Sequence, residues 1–115
     1  MEYAAEIERA KDRKDVTVVK VRGFLDERTS LELEKRIREE IEGGRAKIVF
    51  DCGDLKYISS RGFAVLVSLH GRALSKGGDL ILAELKASIH EVFTVLNLAD
   101  LFKIKDSVSQ AIEAF

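Results

Sequence analysis

Short apolar segments alternate with amphipathic segments along most of the chain, and this alternation constrains the fold more than any other feature. Between two of the apolar segments, Leu33, Ile37 and Ile41 recur at helical spacing with charged residues on the opposite face, and Gly43-Gly44 ends the helix. Strands that alternate with helices in this way form parallel pairs joined by right-handed crossovers. The predicted strands cover residues 16–21, 46–50, 79–83 and 101–104, and the predicted helices cover about 29–42, 59–75, 87–96 and 107–115.

The first residues add an antiparallel element. Tyr3, Ala5 and Ile7 alternate with polar residues, which is typical of a half-buried strand. A charged turn at Lys11–Asp15 then leads into the strand Val16–Val21, so we expect a hairpin whose first strand lies at the edge of the sheet. The predicted fold is α/β: a mixed sheet of four to five strands with about four helices packed mainly on one face, and residues 1–115 form a single domain.

Helix starts are also visible in the sequence. Thr29 followed by Glu32, and Ser107 followed by Gln110, match the capping-box pattern, in which two side chains and two backbone amides bond reciprocally. Asn97 is expected to take the left-handed conformation at the end of the third helix, because asparagine tolerates it.

Composition excludes several classes of function. The formal net charge of −1 and pI of about 6.1 leave no basic field for a nucleic-acid backbone. The single Cys52 rules out a disulfide framework within the chain and a cysteine-rich zinc site, so we expect a buried apolar role for it. The longest apolar stretch, Phe63–Val67, is much shorter than the ~20 residues of a membrane span, and the first residues do not resemble a signal peptide. The expected location is cytoplasmic.

A candidate site is predicted where parallel strands end, because ligands gather at that edge of α/β sheets. Phe24-Leu25-Asp26 and Tyr57–Gly62 should meet there. The pair Ser59-Ser60 opens a helix, and a serine there either caps the helix or offers an exposed hydroxyl for phosphorylation. In the second case the backbone amides of Arg61, Gly62 and Phe63 would receive the phosphate.

The sequence gives little support for an enzyme active site. A hydrolase nucleophile elbow would need a glycine where Tyr57 or Ile58 stands. His70 is expected beside an apolar helical row of Phe63, Leu66, Val67 and Leu74, and His90 near the start of the next helix, so neither is a good catalytic base. A phospho-acceptor role for Asp51 would need further acidic residues after the first strand, which instead turns back in a hairpin. We therefore predict no enzyme activity, no metal and no cofactor.

These segments together resemble the STAS family, and within it the stand-alone bacterial anti-sigma factor antagonists. The resemblance depends on the order and spacing of several stretches. They are Val16–Gly23 with Leu25-Asp26, Ile48–Asp51, Tyr57–Gly62, Lys76–Gly78 with the strand that follows, and Val95–Leu98 leading to Leu101–Ile104.

The resemblance implies a partner switch. The unmodified antagonist would bind a serine-kinase anti-sigma factor and release the sigma factor, the kinase would phosphorylate Ser60, and a PPM-type serine phosphatase would reset it. Ser59 stands where many members carry an aspartate, and Arg61 replaces a usually small residue. Asp26 matches an acidic position on the neighbouring loop and, with Ser59, Arg61 and Gly62, would surround the phosphate.

Two further expectations concern partners. Phe24, Leu25 and Phe63 are candidates for the partner-binding surface, although an ordinary core role is favoured for Phe63. The alternative function is a constitutive STAS scaffold, for example a subunit of a lipid or anion transport complex, in which Ser60 would serve only as a helix N-cap.

Overall fold

The computed structural model describes residues 2–115 as a five-stranded mixed sheet with four helices. The strand order is β1-β2-β3-β4-β5; β1 is antiparallel to β2 and the other neighbours are parallel. This confirms the predicted sheet and the hairpin with β1 at its edge. The elements are β1 Tyr3–Arg9, β2 Thr17–Leu25, α1 Glu27–Glu42, β3 Lys47–Ile58, α2 Ser60–Ser75, β4 Asp79–Ala83, α3 Ala87–Val95, β5 Ile104–Lys105 and α4 Val108–Glu113.

The helices divide unequally between the two faces of the sheet. The larger apolar core lies under α1, α2 and α3, and includes Leu33, Leu69 and Phe93. A smaller core lies on the opposite face, where Ala111 of α4 packs near Val49 and other strand residues. Alternating side chains of each central strand point to opposite faces, so both cores are built from the same strands. The prediction that the helices pack mainly on one face is confirmed.

The start of α1 was predicted wrongly. Asp26, not Thr29, is the N-cap: its carboxylate accepts from the Thr29 backbone N–H (3.0 Å), and the Thr29 hydroxyl accepts from the Asp26 N–H (2.8 Å). This is a capping box that begins three residues earlier than the one expected with Glu32. The predicted apolar row of this helix is confirmed, since Leu33, Ile37 and Ile41 are buried.

Two central strands are longer than predicted. β2 continues to Leu25, and β3 continues to Ile58, well past the polar segment that begins at Asp51. The second halves of these strands pair with each other, with a register shift between Lys20 and Arg22 and another between Gly23 and Phe24. The extension carries both strands directly to the candidate site.

The remaining elements agree with the prediction to different degrees. β4 has the predicted bounds, and Asn97 has the expected left-handed backbone (φ 60°) after α3. The last strand is Ile104–Lys105 instead of 101–104. Phe102 lies in a bend before it, and its ring packs edge-on against that of Phe93. Ser107 caps α4 by accepting from the Gln110 N–H.

Candidate functional site

The candidate site lies where β2 and β3 end side by side. Leu25 pairs with Ile58 at the last position of the ladder, and the Ser59 N–H donates to the Leu25 carbonyl oxygen (2.9 Å). α1 and α2 therefore begin next to each other, directly after these strands. The structure brings together the two segments that the sequence predicted would meet.

Ser59 and Ser60 have different roles. Ser59 is the N-cap of α2, and its hydroxyl accepts from the Gly62 N–H at 3.2 Å. Ser60 is the first residue of the helix and is exposed, and within residues 2–115 its hydroxyl makes no hydrogen bond. The expectation that Ser60 would be the helix N-cap in the scaffold alternative is therefore wrong, because Ser59 has that role.

The backbone amides at this helix start are partly occupied. The Gly62 N–H bonds to Ser59 Oγ, and the Phe63 N–H bonds to the Ser59 carbonyl oxygen at 3.1 Å. Of the three amides expected to receive a phosphate, only that of Arg61 lacks an acceptor within residues 2–115. A phosphate here would consequently depend on side chains more than on backbone amides.

Gly62 is required for packing. A Cβ atom added to it would lie 2.7 Å from Ile58 Cγ2 and 3.2 Å from the Leu25 carbonyl oxygen. The first turn of α2 therefore rests closely against the ends of both strands and near α1, where Ser30 Oγ lies 3.3 Å from the same point. The close approach made possible by Gly62 is toward the protein's own backbone.

Charged side chains lie at the starts of α1 and α2. Arg61 Nε lies 3.4 Å from Glu27 Oε2, and both side chains are exposed. Asp26 accepts hydrogen bonds as the α1 cap, and the bonds from the Thr29 backbone amide and hydroxyl hold its pKa below the ordinary value. The two neighbouring helix starts thus carry one cation, two carboxylates and the uncharged hydroxyl of Ser60.

The expected partner-binding residues differ in their exposure. Leu25 is 1% exposed and Phe63 is 9% exposed, so both belong to the core and neither side chain can contribute much to a docking surface. Phe24 is half-buried and packs on Tyr57, with ring centroids 6.1 Å apart. Because 49% of Tyr57 is exposed, Phe24 and Tyr57 are the aromatic residues that a partner could contact at this edge.

α3 also contributes to this edge, which the sequence did not predict. A groove beside the site runs between the end of β3 and α3, and Tyr57, Phe63, Ile89 and Val92 line it. Val92 is 42% exposed. Its position was not predictable from local pattern, because α3 is held by Phe93, whose ring packs edge-on against Phe63 with centroids 5.0 Å apart.

The other candidate reactive groups lie away from Ser60. His70 is buried, and its Nε2 lies 3.3 Å from Asp79 Oδ1. Asp79 starts β4, so both residues lie at the opposite end of the parallel strands from Ser60. The apolar row expected beside it is wrong in part, because Val67 and Leu74 are exposed. His90 is exposed. Cys52 is buried as predicted, and desolvation raises its pKa to about 12.

Two general findings apply to the described residues. No helix in residues 2–115 is long and apolar enough to cross a membrane. In the same part of the chain, no group of three or more His, Cys, Asp or Glu side chains is arranged to hold a metal ion.

Comparison with known proteins connects this geometry with one family. BtrV of Bordetella bronchiseptica, a protein assigned as an anti-sigma factor antagonist, is 30% identical over 95 residues, which cover 83% of this chain and 82% of BtrV. The fold resembles the assigned antagonist TM1081 of Thermotoga maritima, with a TM-score of 0.87, 23% identity, and coverage of 96% of this chain and 92% of TM1081.

SpoIIAA of Bacillus, a cell fate determinant solved in its phosphorylated form, has the same fold, with a TM-score of 0.77 and 19% identity over 96% of this chain and 98% of SpoIIAA. The family model of the STAS domain matches residues 9–111, which include every helix and strand except nearly all of β1 and the end of α4. By this match the chain belongs to the STAS domain family.

Proposed function

We propose that this protein is an anti-sigma factor antagonist whose binding to a serine-kinase anti-sigma factor is controlled by phosphorylation of Ser60. The observation that carries the proposal is the exposed hydroxyl of Ser60 at the first position of α2, free because Ser59 supplies the cap. Similarity to BtrV over 83% of the chain supports the antagonist role.

The chemistry that Ser60 would undergo is phosphoryl transfer. The kinase would move the γ-phosphoryl group of ATP to Ser60 Oγ, which loses its proton, and ADP would leave. His70 cannot serve as the base, since it is buried at the opposite end of the strands. The catalytic groups would therefore come from the kinase, and this chain would be its substrate. A PPM-type serine phosphatase would hydrolyse the phosphoserine and restore the hydroxyl.

Charge explains why phosphorylation would end binding. A phosphate adds about −1.5 to −2 charges at neutral pH. In an interface arranged around a neutral hydroxyl, with Asp26 and Glu27 at the neighbouring start of α1, it would be both desolvated and repelled. A penalty of about 3 kcal/mol weakens binding roughly a hundredfold. No refolding of the domain is needed for a change of this size.

The first experiment combines phosphorylation and binding. The purified protein is incubated with candidate serine-kinase anti-sigma factors and ATP, and the phosphate is located by mass spectrometry in the wild type, Ser60→Ala and Ser59→Ala. We expect phosphate on Ser60 that is lost in Ser60→Ala and kept in Ser59→Ala. Calorimetry should show release of the kinase from the phosphorylated protein and about hundredfold weaker binding of Ser60→Asp.

If the protein were a constitutive scaffold, the same experiment would give a different result. No kinase would transfer phosphate, and a partner would bind Ser60→Asp as tightly as the wild type. Phosphate on Ser59 instead of Ser60 would also contradict the proposal, because the proposal takes Ser60 as the acceptor and Ser59 Oγ as the cap that binds the Gly62 N–H.

A further inference from the structure

An ion pair joins the first turns of α1 and α2 beside the proposed acceptor. Arg61 Nε and Glu27 Oε2 are 3.4 Å apart, and both side chains are at the surface. The two turns are neighbours because β2 and β3 are parallel and end together at Leu25 and Ile58. Arg61 is thus the cation that directly follows Ser60, and its partner carries a single negative charge.

A phosphate on Ser60 would compete with Glu27 for this arginine. A phosphoserine approaches two negative charges near neutral pH, whereas a glutamate carries one. Guanidinium groups also bind phosphate oxygens through paired, charge-assisted hydrogen bonds. The ion pair with Glu27 is exposed and therefore contributes little free energy to hold Arg61 in place.

The exchange requires that the Arg61 side chain can reach a phosphate on Ser60. Successive residues of a helix point in different directions, so Ser60 and Arg61 do not face each other as residues one turn apart would. Arg61 is nevertheless exposed, and within residues 2–115 Glu27 is its only ionic partner. Among the ion pairs and hydrogen bonds of residues 2–115, turning toward a phosphate would break only this exposed pair.

We propose that Arg61 is the phosphate-binding side chain of this switch: Glu27 holds it in the unmodified protein, and it moves to the phosphate when Ser60 is phosphorylated. This inference rests on the proposed function, because it takes Ser60 as the acceptor. The exchange would leave Glu27 unpaired beside Asp26. Phosphorylation would therefore change the surface charge at the start of α1 as well as at the start of α2.

The test measures the phosphate itself. Phosphoserine is incorporated at position 60 during translation, so no kinase is needed, and its second ionisation is followed by ³¹P NMR across pH. Loss of the cation in Arg61→Gln should raise the second pKa of the phosphate. The second acidity constant should fall about two- to fivefold. The difference from the parent protein should shrink in about 1 M salt, where exposed charges are screened.

Two further variants make the result specific. Glu27→Gln should change the acidity constant in the opposite direction, because it releases Arg61 and removes a like charge. Arg28→Gln is the matched control: Arg28 is an exposed arginine in the first turn of α1 whose partner is Glu32, at 3.7 Å. We expect a clearly smaller shift for it than for Arg61→Gln.

An unchanged titration in Arg61→Gln, or shifts of equal size in Arg61→Gln and Arg28→Gln, would overturn the inference. Either result would leave the proposed function intact, because the titration involves no kinase. Failure of every kinase to phosphorylate Ser60 would contradict the proposed function and would not alter the titration.

Discussion

Ser59 and Ser60 carry the same side chain one residue apart, but the backbone gives them different tasks. Ser59 has an extended backbone (ψ 172°), which directs its hydroxyl to the Gly62 N–H. Ser60 is already helical and exposed, and within residues 2–115 its hydroxyl makes no hydrogen bond. A residue engaged in a cap loses a stabilising bond when modified, whereas Ser60 can be modified without that cost.

This difference predicts unequal effects of two alanine substitutions. Ser59→Ala should lower the free energy of unfolding by about 0.5–2 kcal/mol, because it removes the cap of α2. Ser60→Ala should change it by less than about 0.5 kcal/mol, as at other exposed sites without partners. Urea unfolding followed by circular dichroism measures both. Equal losses in the two variants would mean that Ser60 also supports the helix start.

At the scale of elements, local pattern predicted the strands and helices better than their ends. β4 was predicted correctly because the apolar run Leu80–Ala83 follows closely on the helix stop at Gly77-Gly78. β3 was cut short because Asp51–Asp54 looks like a turn, yet these residues are extended by pairing with distant residues of β2. Such pairing cannot be read from a local window, so strand ends are predicted poorly where the partner decides them.

The same limit applies to the candidate site. The meeting of Phe24–Asp26 with Tyr57–Gly62 was predictable, since adjacent parallel strands end at one edge. The burial of Leu25 and the exposure of Tyr57 were not, because they depend on how α2 and α3 cover the strand ends. The Arg61–Glu27 ion pair was also missed, because it joins helix starts that are far apart in sequence.

Two glycines of α2 provide a prediction for the element as a whole. Gly62→Ala should lower the free energy of unfolding by about 1–3 kcal/mol, because the new methyl group would overlap Ile58 Cγ2. Gly71→Ala is the matched control: Gly71 is exposed in the same helix with nothing within 4 Å of the added atom, and should stabilise by about 0.5–1 kcal/mol. Stabilisation by both substitutions would mean that α2 is not packed closely against the strand ends.

For the whole molecule, the sheet separates the candidate site from the other polar cluster. Ser60 follows the end of β3, whereas the carboxylate of Asp79, which contacts His70 and Lys103, lies at the start of β4. The two edges are connected by strands that are buried on both faces. A charge added at Ser60 is therefore expected to act on a docked partner through the surface, without rearranging the core.

Acid stability of the whole molecule should depend in part on the cap of α1. Because the pKa of Asp26 is lowered in the folded protein, its stabilising effect is present above the ordinary pKa of 3.8 and is lost as the pH falls through the lower, folded value. Asp26→Asn keeps a good N-cap but cannot titrate. Stability near neutral pH should consequently change little in this variant.

Urea unfolding between about pH 6 and about pH 2 tests this prediction. We expect the midpoint to fall less steeply in Asp26→Asn than in the wild type, with the difference confined to the range below the ordinary pKa. The ion pairs of Asp15 with Arg13 and Lys47 are present in both proteins, so their titration cancels in the comparison. Parallel curves would mean that the unfolded chain binds protons at Asp26 no more readily than the folded one. Asp26 would then stabilise the start of α1 equally well with its carboxyl group protonated or ionised.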